Sequence, residues 1–139
     1  MTQYSVERAE LKELIKREGN LKEFVHNGFN CKIVRVHPES TGHLCGYVKI
    51  PISHKLYGMS YDDIERLYDY EVPSHAGLTF SGSIKEEGYW IGFDCAHSGD
   101  LLPCSHGDYF EMSIMHGDVY RDMEFVEARL KELVDFIKE

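Results

Sequence analysis

Two stretches, Cys31–Val36 (CKIVRV) and Leu44–Ile50 (LCGYVKI), decide how the chain is read. Each has strand length, and each is apolar and β-branched enough to suit a pleated, half-buried surface. A turn carrying Pro38, Ser40 and Gly42 joins them, so together they read as a hairpin with a longer loop, and Pro51 ends the second strand. Further strands are expected at Gly77–Phe80 and Tyr89–Phe93, separated by Ser81-Gly82-Ser83 and Gly88. On the other side of the hairpin, Val6, Ala9, Leu14 and Ile15 recur at helical spacing among charges. They predict a helix over residues 5–18, capped by Ser5 and ended by Gly19-Asn20. Leu21–His26 reads as one or two further helical turns closed by Asn27-Gly28, which makes residues 1–30 an N-terminal helical segment. Tyr61–Tyr68 is a short helix capped by Ser60, with Asp62 and Asp63 at the positive end of its dipole. Residues 94–117 hold no period for long and read as a loop, interrupted by a short strand at Tyr109–Ile114. Asp118 is expected to cap a final helix, Val119–Lys138, with the stripe Met123, Val126, Leu130, Leu133 and Ile137. This order predicts a single α+β domain over residues 1–139, a mostly antiparallel sheet with helices packed on one face.

Composition sets the bounds. The 139 residues match one domain, and 42% apolar with 28% charged residues is an ordinary globular mixture. No apolar run approaches the roughly 20 residues that cross a bilayer. Residues 1–16 carry charges at helical spacing and no apolar core, so neither a secretion signal nor a membrane partner is expected. The net charge of −9 is uneven. Residues 1–60 hold nine basic and six acidic side chains, whereas residues 61–124 hold three basic and fourteen acidic. Such a surface does not suit a long nucleic-acid duplex, which is held by clustered Lys and Arg. It leaves room for a small anion near Lys32, Arg35, Lys49 and Lys55. Cys31, Cys45, Cys95 and Cys104 form no C-x-x-C pair, so reduced thiols in a cytosolic compartment are expected.

The chemistry-bearing side chains concentrate in residues 75–108. His75 precedes one expected strand and Thr79 lies in it, and Asp94, His97 and Asp100 follow another at spacings of three. Two carboxylates and an imidazole suit acid/base work or a hard metal, with His75 as a general base reaching across. Asx turns account for the same aspartates without any ligand. Outside this stretch, His54, Lys55 and Tyr57 lie on a loop after a strand, and Trp90 offers a flat face on which a base can stack. No Ser-His-Asp elbow, P-loop, dinucleotide fingerprint or H-E-x-x-H is present, and no cofactor is expected.

Three segments together resemble a widespread family of small proteins of tailed bacteriophages and prophages. They are GYVKIP with HKLYG (residues 46–51 and 54–58), HAGLTFSG (75–82) and WIGFDCAHSGD (90–100); YRDMEFV (120–126) fits it too. The family more often has two glycines after the first histidine, where this chain has Ala76. The resemblance implies a bacterial cytosol during infection and brings no catalytic residues with it. By analogy with phage proteins that counter host defence, it implies a homo-oligomer that binds and sequesters a small anionic nucleotide signal without cleaving it. The signal would be of the cyclic nucleotide or cyclic ADP-ribose type. Arg35, Lys49, His54, Lys55, Tyr57, His75, Thr79, Trp90, Asp94 and His97 are the expected contacts. Two alternatives stand beside it: a metal-dependent hydrolase using Asp94, His97 and Asp100, and an acidic inhibitor that binds a host enzyme.

Overall fold

In a computed structural model, which describes residues 3–138, five antiparallel strands form one sheet in the order β1-β2-β3-β5-β4. Helix α1 (Gln3–Glu18) precedes β1 (Leu21–His26), β2 (Phe29–Arg35) and β3 (Leu44–Ile50). Helix α2 (Tyr61–Leu67), β4 (Phe80–Gly82), β5 (Tyr89–Asp94), α3 (Gly107–Met115) and α4 (Met123–Ile137) follow. The fold is therefore α+β and single-domain, as expected. Among the described residues no helix is long and apolar enough to cross a membrane.

The sheet sorts its side chains by parity. Phe29, Cys31 and Ile33 of β2, Leu44, Val48 and Ile50 of β3, and Ile91 and Phe93 of β5 are buried together. Val126, Leu130, Leu133, Val134 and Ile137 of α4 close over them. Gly46 lets that helix approach: a Cβ there would stand 2.9 Å from Val126 and 3.2 Å from Leu130. Ile64 of α2 joins the same core. The Ser60 hydroxyl caps α2 by accepting from the Asp63 amide.

Five expectations need correction. The strand expected at Gly77–Phe80 is β4 at Phe80–Gly82, so Ser81 and Gly82 pair with Ile91 and Trp90 instead of forming the turn. Leu21–His26 is strand β1, not helix: Asn27 and Gly28 both have positive φ, the two-residue turn that closes a hairpin with His26 opposite Phe29. Tyr109–Ile114 lies inside helix α3, because Phe110 and Ser113, three apart, both turn to the buried side. The last helix begins at Met123, where Asp122 accepts from the Phe125 amide. Asp118 instead accepts from the Ser113 hydroxyl, and Val119 makes an isolated parallel bridge to Asp100. The first helix runs through Ser5 rather than starting after it, but it ends as expected at Gly19 (φ 77°), whose amide returns to the Ile15 carbonyl.

Candidate functional site

Four of the expected contacts, His75, Thr79, Asp94 and His97, converge where β5 leaves the sheet. The hub is Asp100, whose side chain is only 1% exposed. Its loop folds on itself: the Asp100 amide donates to the His97 carbonyl, and the His97 amide donates to Asp100 Oδ2 at 3.0 Å. The Asp100–Val119 bridge then brings Arg121 alongside, and its Nε donates to Oδ1 at 2.9 Å. His75 Nε2 sits 2.9 Å from both carboxylate oxygens. Burial pushes the Asp100 pKa up, but the His97 amide, Arg121 and His75 outweigh it and hold the carboxyl below its usual range. Asp100 is therefore an ionised acceptor. Toward that carboxylate His75 Nε2 is the donor.

A second pair stands beside the first. Asp94 accepts from the Thr79 hydroxyl at 3.1 Å and from the Ala96 amide at 3.0 Å, an Asx turn of the kind the sequence suggested. His97 Nε2 lies 3.2 Å from Asp94 Oδ1, close enough for an ion pair but too poorly aligned for a hydrogen bond. That nitrogen is buried and has no other partner among the described residues. The two imidazoles are 5.9 Å apart, centroid to centroid, and meet edge to face. Phe125, in the first turn of α4, supports His75 at 5.2 Å and lies under Arg121 at 5.3 Å.

The segment that delivers His75 is held from α2. The Leu78 amide donates to Glu65 and the Gly77 amide to Ser74. Ala76 and Gly77 both have positive φ, 59° and 94°. His43 faces the cluster from the start of β3. Burial lowers its pKa, against the opposing pull of Asp94 and Asp100. Cys95 and Cys45 border the site, but burial drives both thiols upward, Cys45 to about 11, so neither offers a thiolate near neutral pH.

The other expected contacts lie elsewhere, and three need correction. The Arg35 side chain is fully buried. It donates to the Gly19 and Gly42 carbonyls, to Tyr120 and to Glu18, and has no edge left for a ligand. His54 accepts from the Leu56 amide at Nδ1 and donates from Nε2 to the Ile137 carbonyl, which ties the loop to the end of α4. Trp90 is 4% exposed; its indole donates to the Glu87 carbonyl and Lys32 covers its face at 5.1 Å, so no base can stack there. Lys49 lies opposite Trp90 on β3, beside a hollow of about 360 Å³ on the second face of the sheet. Lys55 rests over the Tyr68 ring and Tyr57 packs against Tyr89, both apart from the cluster.

Asp94, His97 and Asp100 do not form a metal shell either. Asp100 is committed to its three donors, and among the described residues no three His, Cys, Asp or Glu side chains are placed to hold a metal ion. Arg121 is the member that reading for chemistry missed. It lies 21 residues beyond Asp100 and only the Val119 bridge brings it near. The signal available was its place in the YRDMEFV segment, next to the helix start. Comparison with family models, with curated proteins and with solved structures finds no match.

Proposed function

We propose that the chain binds a small phosphate-bearing nucleotide at the cluster of His75, Thr79, His97 and Arg121, and so removes it from circulation. The observation that supports this is the state of the polar atoms at the rim. Arg121 spends Nε on Asp100, while its two terminal amino groups have no hydrogen-bond partner among the described residues. The same holds for Nδ1 of His75 and of His97. A fork of guanidinium donors suits a phosphate, for which charge-assisted bonds are the strong kind. The side chains of His75, Arg121 and His97 are 15%, 28% and 29% exposed, so a ligand can reach them. Asp100 is paired with Arg121, and Asp94 accepts from the Thr79 hydroxyl and the Ala96 amide. The resemblance to phage proteins supplies the setting: a nucleotide alarm signal captured in an infected bacterium, by a homo-oligomer.

Native mass spectrometry and calorimetric titration with 3′,5′-cyclic mononucleotides, cyclic dinucleotides and cyclic ADP-ribose test this reading. One member of the panel is expected to bind, with the oligomeric state read in the same spectrum. Arg121→Gln keeps a donor toward Asp100 and removes the fork, and is expected to weaken binding at least about 10-fold, the scale of one lost charge-assisted bond. Absence of binding across the panel, or unchanged affinity in that variant, would refute it.

A further inference from the structure

We propose that strand β1 is the interface of a homodimer, in which Leu21–His26 of one copy pairs antiparallel with Leu21–His26 of a second. This gives the homo-oligomer of the reading above its interface; it rests on that reading for nothing else and stands on the strand edge, not on the ligand.

The sheet ends at β1 on one side and at β4 on the other. Strand β4 has three residues, and a very short edge strand offers little ladder to a partner. Strand β1 has six, and its register with β2 runs unbroken from Leu21 opposite Val34 to His26 opposite Phe29. The Arg35 amide donates to the Asn20 carbonyl, so Asn20 and every second residue after it, Lys22, Phe24 and His26, bond inward to β2. The amides and carbonyls of Leu21, Glu23 and Val25 point outward, and none has a hydrogen-bond partner among the described residues.

Natural sheets blunt such an edge with proline, with a bulge or with a lysine standing in the way. Strand β1 has neither proline nor bulge. Lys22 is drawn off to Glu127 of α4, and His26 to Asp135 of the same helix. On the face away from α4 stand Leu21, Glu23 and Val25, with Leu21 56% and Val25 65% exposed.

The strand is complementary to itself. Only outward residues can exchange bonds across a new ladder, and the register that uses all three puts Glu23 on the two-fold axis. Leu21 then meets Val25 of the second copy, an apolar pair on each side of the axis. Glu23 meets its own copy, and Lys32 stands behind each carboxylate at 3.8 Å to offset that repulsion. Charge favours a second copy over a foreign strand. Strand β1 carries one lysine and one glutamate, so it is neutral in a chain of net charge −9. A basic partner is drawn instead to the acidic residues 61–124, whereas two copies repel least where both present a neutral strand. The two-fold axis also closes the edge, because each β1 is used up by the other and only the short β4 strands remain at the ends.

Sedimentation velocity and light scattering of the purified full chain, without nucleotide, test this. The wild type is expected to be a dimer that dissociates on dilution. Val25→Lys changes an exposed side chain and removes the apolar pair on both sides of the axis. It is expected to raise the dimer dissociation constant at least about 100-fold, roughly tenfold for each valine lost. Glu23→Pro removes only an outward N–H, where an edge strand tolerates proline, and is expected to give a monomer. Circular dichroism checks that both variants keep the wild-type fold. On the axis, the two copies of residue 23 would have Cα atoms about 5.5 Å apart, within disulfide reach. Glu23→Cys is therefore expected to give a covalent dimer on mild oxidation, which the wild type does not. A monomeric wild type would overturn the proposal. So would a dimer that Val25→Lys leaves intact, or one that Glu23→Cys does not cross-link. Each of these failures leaves nucleotide binding by the monomer untouched, and absence of nucleotide binding leaves the dimer standing.

Discussion

Replacing Asp100 with Asn tests the hub directly. The carboxylate is 1% exposed and accepts from Arg121 Nε, His75 Nε2 and the His97 amide at 2.9, 2.9 and 3.0 Å. Asn keeps the shape but loses the charge and one acceptor oxygen, so at least one of these donors faces an amide N–H. Removing one partner of a buried ion pair costs roughly 3–5 kcal/mol. Arg121 and His75 are partly open to water, which relieves some of their loss, and about 3 kcal/mol is the expected cost at pH 7. For a chain of 139 residues this corresponds to a fall in Tm of about 10 °C. The pH dependence carries a second signature. The Asp100 pKa is lowered in the folded state, so its contribution is complete above the unfolded value near 4 and is lost as pH falls through the folded one. Wild type and Asn variant should therefore converge in stability as pH falls below the unfolded value near 4 and differ most above about pH 5. Urea unfolding at pH 3, 5 and 7 checks both. A difference below about 1 kcal/mol at pH 7, or one independent of pH, would refute the assignment of Asp100 as the ionised centre of the site.

Two further changes probe the scaffold. Gly46→Ala sets a Cβ 2.9 Å from Val126 and 3.1 Å from Phe93, and is expected to cost about 1–3 kcal/mol by forcing α4 off the sheet, read from the urea midpoint. Ala76→Gly relieves a φ of 59° at an exposed position and is expected to raise stability by about 0.5–1 kcal/mol; a loss would show that the turn before His75 gains nothing from glycine.

The hairpin of β2 and β3, β5 and the stripe of α4 were legible because each repeats apolar side chains with the period of its own element. Strand β1 was not read as a strand: the exposed side chains of Leu21–His26 carry no clear period, and the Asn27-Gly28 turn was the signal for a hairpin. Helix α3 was not legible: with Tyr109, Met112 and Met115 exposed, its short stretch of mixed polarity suits strand and helix alike. At the site, His75, Thr79, Asp94 and His97 stood out because polar, titratable side chains cluster near the end of one strand. Arg35, His54 and Trp90 look equally functional as letters. Only packing shows that carbonyls, carboxylates and a lysine already occupy them.

By itself, then, the sequence determined the α+β class, the sheet-forming hairpin, the final amphipathic helix and the stretch in which chemistry-bearing side chains gather. These follow from local period and turn chemistry, which neighbouring residues suffice to specify. Tertiary structure alone decided that Asp100 is the centre, that Arg121 joins it across 21 residues, and that two imidazoles face each other with a carboxylate behind each. The physical reason is that a partner for a buried charge is chosen by distance in space. The bridge from Asp100 to Val119 that sets this distance has no period to read along the chain.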